Sequence, residues 1–137
     1  KIFMILLKYL YEKKKKRGMV VKTVSLTSMV DAYCKSKNIS LTETPVGFKH
    51  TAKLMTEHKV LIGGEESGGL GTIIHIPERD GLFNAMLVLE VMAVRNIPVV
   101  RSINRVLDLP NNNSYYKVDE NILSIIPYKD IAKDIFE

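Results

Sequence analysis

The apolar run Val60-Leu61-Ile62 passes directly into Gly63-Gly64-Glu65-Glu66-Ser67-Gly68-Gly69, and this junction constrains the fold more than any other stretch of the chain. A short apolar run that stops at glycines reads as a buried strand delivering polar groups at its carboxyl end, where α/β proteins place their ligands. The glycines allow a ligand to approach the backbone closely, as in phosphate-cradling loops. The side chains argue against phosphate, because Glu65 and Glu66 would set two negative charges against it. A neutral polyol suits the loop better: carboxylates accept hydrogen bonds from hydroxyls, and the Ser67 hydroxyl both donates and accepts. Two other readings stand beside this sugar grip. One is a plain glycine-rich connection with solvated glutamates. The other is a divalent-metal loop, although the regular alternation of oxygen ligands found in calcium loops is missing.

Around this loop the chain alternates helix and strand. Residues 2 to 12 read as a largely buried helix ending in Lys13-Lys14-Lys15-Lys16-Arg17, with Gly18 as its C-cap. Met19 to Val24 is β-branched and reads as the first strand. Thr27 or Ser28 caps a helix to about Ser36 whose apolar face is Met29, Val30, Tyr33 and Cys34. Asn38 and Ser40 mark its exit, Leu41 to Thr44 is a second strand, and Pro45-Val46-Gly47 turns into a helix from Phe48 to Glu57. Lys59 to Ile62 is the central strand and Thr72 to Ile76 a hairpin arm. Asp80 caps a final helix carrying Leu82, Met86, Leu87, Leu89, Val91 and Met92, apolar enough to leave few positions exposed. The pattern predicts a three-layer α/β/α domain with a mostly parallel or mixed sheet over residues 1 to 100. From Pro98 the character changes. A short helix to Leu109, the polar break Pro110-Asn111-Asn112-Asn113 and a strand at Tyr115 to Val118 make 101–137 a linker and the beginning of a further domain.

Composition narrows the function classes. A chain of 137 residues with 46% hydrophobic and 26% charged residues has room for one globular domain and a piece of another. Its single cysteine, Cys34, excludes an internal disulfide, reads as a small buried hydrophobe and suits a reducing compartment, so a cytoplasmic location is expected. The opening Ile2 to Leu7 is apolar, but Lys8 follows too soon for a membrane span of about 20 residues. The net charge of +5 comes largely from the lysine run, which a solvated helix C-terminus explains through the macrodipole. Nucleic acid is not expected as a partner, because no stacking aromatics accompany the run. The chain does not begin with methionine and stops at Phe136-Glu137 as a new periodic segment starts, so it is expected to be a piece of a longer protein.

Four segments occur in order over residues 1 to about 100: Val20-Val21-Lys22-Thr23-Val24, Glu43-Thr44-Pro45-Val46-Gly47-Phe48-Lys49, Gly64-Glu65-Glu66-Ser67-Gly68-Gly69 and Pro77-Glu78-Arg79-Asp80-Gly81. Together they resemble the third domain of the α-D-phosphohexomutases, nearest the bacterial phosphoglucomutase and phosphomannomutase type. The resemblance implies an enzyme that moves phosphate between the 1 and 6 positions of a hexose through a phosphoserine and a bisphosphorylated intermediate. It implies a magnesium ion and glucose 1,6-bisphosphate in the parent protein, with hexose phosphates and the other domains of the same chain as partners. The chain has no serine-histidine-asparagine-proline segment, no run of metal-binding aspartates and no serine-glycine-threonine phosphate loop. By the resemblance, the phosphoserine and the metal ligands lie outside it, and the chain alone is expected to be inactive.

By the same resemblance, Glu65 and Ser67 hydrogen-bond the 3- and 4-hydroxyls of the sugar and Gly64 belongs to the same grip, while Glu66 either joins it or is held instead by neighbouring backbone or a cation. Lys22 and Lys49 are the basic residues expected at the cleft, holding phosphate oxygens or assisting proton transfer. His75 is a further catalytic candidate against a structural reading, Asp80 reads as a helix cap, and Arg79 is expected to pair with Glu65, Glu66 or Glu78. Some members of the family carry histidine where this chain has Phe48 or Gly69, which leaves the general base unassigned. The acidic loop favours glucose phosphate, with mannose phosphate next and glucosamine phosphate behind. The competing reading is a binding module without chemistry, for carbohydrate or nucleic acid.

Overall fold

A computed structural model describes residues 1–95. Helix α1 (Ile2–Lys8) continues into a π-helical turn, Tyr9–Lys13, and is followed by β1 (Met19–Thr23), α2 (Met29–Lys37), β2 (Leu41–Thr44), α3 (Phe48–Glu57), β3 (Val60–Gly64), β4 (Leu70–Thr72) and α4 (Gly81–Arg95). The helix expected to reach Leu109, the strand at Tyr115 to Val118 and the domain boundary after residue 100 lie outside the described residues.

The sheet has the order β2-β1-β3-β4. β2, β1 and β3 are parallel, and β4 returns antiparallel beside β3. It is therefore a mixed sheet with a parallel core, covered on both faces. Phe3, Met4, Ile5, Leu6, Leu7, Tyr9 and Leu10 are all buried, and a helix apolar on every side must be covered all round. They form one core with Val30, Tyr33 and Cys34 of α2 and Leu87 and Val91 of α4. α3 lies on the other face, where a side chain at Gly63 would meet Thr51 and Met55 of α3 beside Val21. Cys34 belongs to the first core, and burial pushes its thiol up to about 11. No helix among the described residues is long and apolar enough to cross a membrane.

The boundaries follow from local chemistry. Asn38 takes the left-handed conformation (φ 54°) after α2, and the Ile39 N–H returns to the Cys34 carbonyl at 2.9 Å, closing the helix end. At the start of α2 the Thr27 hydroxyl accepts the Met29 N–H at 3.3 Å. Gly47, at φ 125°, turns the chain into α3. Asp80 opens α4: its Oδ1 accepts the Phe83 N–H at 2.9 Å and its carbonyl accepts the Asn84 N–H at 3.0 Å.

Three expectations are corrected. Gly18 does not cap the first helix. That helix widens at Tyr9, the Lys14 N–H bonds the Tyr9 carbonyl at 3.0 Å, the Lys16 N–H bonds the Leu10 carbonyl at 2.9 Å, and Lys15 itself adopts φ 54°. Arg17 completes this end by donating to the Tyr11 and Lys16 carbonyls at 2.9 and 2.8 Å, its guanidinium 4.1 Å from the Tyr11 ring. Gly18 is needed elsewhere, because a Cβ there would lie 2.6 Å from the Lys59 carbonyl where β1 enters the sheet beside β3. The hairpin arm spans Leu70–Thr72 rather than Thr72 to Ile76, since the Glu65 N–H bonds the Gly69 carbonyl at 3.0 Å and pairing resumes at the next residue. Finally, α4 is not covered on most sides: Leu82, Met86, Leu89 and Val94 are exposed, and only the face bearing Leu87 and Val91 joins the core.

Candidate functional site

In this sheet β1 connects through α2 to β2 on one side, while β3 connects to β4 on the other. The carboxyl ends of β1 and β3 therefore flank a topological switch point, where an open α/β sheet leaves a crevice for ligand. The segment after β1 carries Ser25, and the segment after β3 is Glu65 to Gly69. The loop singled out in the sequence thus leaves β3 at that switch point.

Glu65 is 7% exposed, and burial of a carboxylate demands partners. Its Oε1 accepts the Gly47 N–H at 3.0 Å, just before α3. Its Oε2 has only long contacts, with the Ser67 hydroxyl donating at 3.4 Å and an Arg79 guanidinium nitrogen at 3.8 Å. One oxygen is fixed and the other keeps accepting capacity toward Ser67. The loop closes with the Gly68 N–H on the Glu65 carbonyl at 3.2 Å, and Gly68 sits at φ 96°, a conformation that favours glycine. At Gly69 a side chain would press on Glu65 Oε2 at 2.9 Å, so the bare backbone there keeps room for the carboxylate.

Glu66 points away from its neighbour. Its Oε2 accepts from the Thr23 hydroxyl at 3.2 Å and from the Ser25 hydroxyl in a short bond. The Ser25 hydroxyl, then the residue's own N–H and the Thr23 hydroxyl hold its carboxyl below the usual glutamate range.

Lys22 is buried at the end of β1, with its ammonium 2.6 Å from Asp31 and 3.2 Å from Glu43. Glu43 is its register partner on β2. Burial pulls the lysine pKa down, but the Asp31 and Glu43 carboxylates outweigh it and the net value is raised, so Lys22 is a charged and fully engaged cation. Lys49 is exposed in the first turn of α3. His75 donates from Nε2 to Asp80 at 2.9 Å and stacks on Phe83, with ring centroids 4.0 Å apart, so both its face and its edge serve the start of α4. Arg79 lies 5.8 Å from the Phe48 ring and 3.9 Å from Glu78, and so reaches Glu65 and Glu78 but not Glu66.

The structure therefore brings Glu65, Ser67, Gly64 and Arg79 together and places Glu66 beside them on a different set of partners. Thr23, Ser25, Asp31 and Glu43 were not singled out as site residues. Period-two alternation did carry one signal, since it puts Lys22 on the same buried face as Val20. Among the described residues no three His, Cys, Asp or Glu side chains converge as a metal-binding set, and each carboxylate at this edge already has donors. The donor set does not fit a magnesium ion.

Fold and site together define an α/β/α domain with an acidic loop at the switch point of its sheet. Residues 1–109 match the family model of phosphoglucomutase/phosphomannomutase, alpha/beta/alpha domain III. A phosphoglucosamine mutase of Campylobacter curvus is 37% identical over 89 residues, covering 64% of this chain and 20% of the relative. Rabbit (Oryctolagus cuniculus) phosphoglucomutase-1 is 28% identical over 113 residues, covering 82% of this chain and 18% of the relative. A solved structure of a Thermus thermophilus protein assigned as a phosphomannomutase superposes with a TM-score of 0.72 at 34% identity, covering 77% of this chain and 24% of that one. The Paramecium phosphoglucomutase parafusin, in an open form, shares the fold with a TM-score of 0.65 at 23% identity over 79% of this chain and 20% of its own. The chain belongs to the phosphoglucomutase/phosphomannomutase family, whose α/β/α domain III it contains. It spans about a fifth of the length of the curated relatives it matches.

Proposed function

We propose that this domain is the sugar-recognition part of a phosphohexomutase, which interconverts hexose 1-phosphate and hexose 6-phosphate through a phosphoserine and a bisphosphorylated sugar such as glucose 1,6-bisphosphate. The observation that carries the reading is Glu65, a buried carboxylate with one oxygen fixed by the Gly47 N–H and the other held only loosely beside Ser67. That pair offers an acceptor and a hydroxyl side by side, matching two adjacent sugar hydroxyls.

A grip on the 3,4-diol has a mechanistic reason. The hexose must present first one end and then the other to the same serine, and a hold on the middle of the ring survives that half turn. Glucose, mannose and glucosamine phosphates share this diol, which agrees with relatives bearing all three names. The phosphoserine and the magnesium ion, which neutralises charge on the transferred phosphoryl group when bound, belong to other domains of the parent in this reading. Lys49, exposed in the first turn of α3, is the lysine assigned in this reading to a substrate phosphate, because Lys22 is already engaged by Asp31 and Glu43.

The test is kinetic, in the parent enzyme. Glu65→Gln keeps the shape and removes the charge, weakening each sugar bond by about 1–2 kcal/mol, roughly a tenfold loss in kcat/KM per bond. Ser67→Ala is expected to lose less. Both losses should appear with glucose 1-phosphate and with glucose 6-phosphate, at unchanged magnesium requirement. A defect confined to one sugar phosphate would mean that the loop grips an end of the substrate, and a shifted magnesium requirement would move Glu65 to metal binding.

A further inference from the structure

We infer that Glu66 is a positioning residue: through the Thr23 and Ser25 hydroxyls it ties the loop 65–69 to the turn after β1, and so presents Glu65 and Ser67 to the hexose without touching the sugar itself. This rests on the reading of the loop as a sugar grip. The backbone alone does not hold the loop on that side. The last β1–β3 register pair is Lys22 with Gly64, and beyond it the two strands part. Glycines flank the loop at 63, 64, 68 and 69, with no side chains to pack it in place. One tether runs from Glu65 to Gly47, on the α3 side. Glu66 supplies the other, reaching residues 41 and 43 positions away in sequence.

The partners also say why Glu66 does not turn toward the sugar. Thr23 is fully buried, and without Glu66 its hydroxyl would keep only the Ser25 hydroxyl, 3.2 Å away, among its described side-chain partners. Drawing the two adjacent carboxylates to opposite partners also separates like charges, leaving Glu65 alone to face the ligand. Two convergent hydroxyl donors favour the charged form of Glu66 and make the tether charge-assisted.

The test uses the 137-residue chain with α-D-glucose 1-phosphate as probe. Ser25→Val removes the hydroxyl, and Ser25→Thr, which has the shape of valine, keeps it. In sugar-free protein, Ser25→Val and Glu66→Gln should each speed amide hydrogen exchange at Ser67, Gly68 and Gly69 about fivefold or more, leaving α1 and α4 unchanged. Each should weaken the probe about tenfold, as expected for one charge-assisted bond, with little further loss in the double variant. Ser25→Thr should behave as the native chain. If Glu66→Gln weakens the probe while Ser25→Val alters neither exchange nor affinity, Glu66 touches the sugar and the proposal is overturned. A loop that loosens as described in a chain that binds no hexose phosphate overturns the grip and leaves the tether standing; a loop that stays rigid in both variants overturns the tether and leaves the grip.

Discussion

Gly64→Ala strikes the point where β3 hands over to the loop. A Cβ there would lie 2.4 Å from Leu70 Cδ2, 2.8 Å from the Gly69 carbonyl oxygen and 3.1 Å from Phe3 Cδ2. The leucine methyl can swing aside, but Phe3 is buried and the Gly69 carbonyl is held by the Glu65 N–H. Relief must come from that carbonyl, which breaks the bond closing the loop. Overpacking costs about 1–3 kcal/mol, and the broken hydrogen bond adds about 1 kcal/mol. Lost freedom of the unfolded chain returns about 0.4–1 kcal/mol. The net is about 1 to 3.6 kcal/mol, near ~2.3 kcal/mol at mid-range, well short of the ~5–15 kcal/mol that holds a domain folded. Gly71→Ala is the control, because its Cβ would meet chiefly the end of the flexible Met55 side chain, at 2.7 and 2.9 Å, with Phe48 at 3.2 Å. That substitution should cost less than about 1 kcal/mol. In urea unfolding followed by circular dichroism, a slope of roughly 1.5 kcal/mol per molar puts the mid-range midpoint shift near ~1.5 M for Gly64→Ala and below ~0.7 M for Gly71→Ala. Equal shifts, or a larger one for Gly71→Ala, would refute the steric reasoning.

Four further outcomes follow. Asp31→Asn with Glu43→Gln leaves the buried Lys22 without either carboxylate and should cost about 3 kcal/mol. Lys22→Met leaves two half-exposed carboxylates to water and should cost about 1 kcal/mol or less; thermal unfolding ranks the two, and the reverse order refutes the account. Asp80 is held below the ordinary aspartate value of 3.8, first by the Phe83 N–H and then by His75. Its contribution is therefore present above that value and lost as pH falls through the lower folded one, so on acidification below about pH 4 stability should fall more steeply in the native chain than in Asp80→Asn. Leu6→Ala, fully buried in α1, should cost about 3 kcal/mol by chemical denaturation. The chain by itself should show no magnesium-dependent interconversion of hexose phosphates in a coupled assay, and any turnover would place the transferring serine within it.

Local chemistry was readable and distant pairing was not. Asn38 as the exit from α2, Gly47 as the turn into α3 and Asp80 as the opening of α4 each follow from one residue's own conformational or bonding preference. The run Lys59 to Ile62 announced a strand, which in the fold begins at Val60 and carries on through both glycines to Gly64. The widening of the first helix at Tyr9 escaped, since the lysine run supplies no breaker and the turn is closed by Arg17 reaching back to carbonyls. Glu65, Ser67 and Arg79 could be named together because the motif places them. The hold of Thr23 and Ser25 on Glu66, and of Asp31 on Lys22, spans separate elements whose approach only the fold defines.

The central claim is that the loop holds the middle of the sugar ring and is indifferent to which end carries phosphate. Titrating the isotope-labelled chain with glucose 1-phosphate and then with glucose 6-phosphate, while following backbone amide shifts, tests it most directly. The account predicts that the same amides move with both ligands, centred on Gly64 to Gly69 and Gly47, and that Glu65→Gln weakens both titrations by a similar factor. Shifts that migrate to a different set of residues when the phosphate changes ends, or that leave Gly64 to Gly69 unmoved, would contradict it.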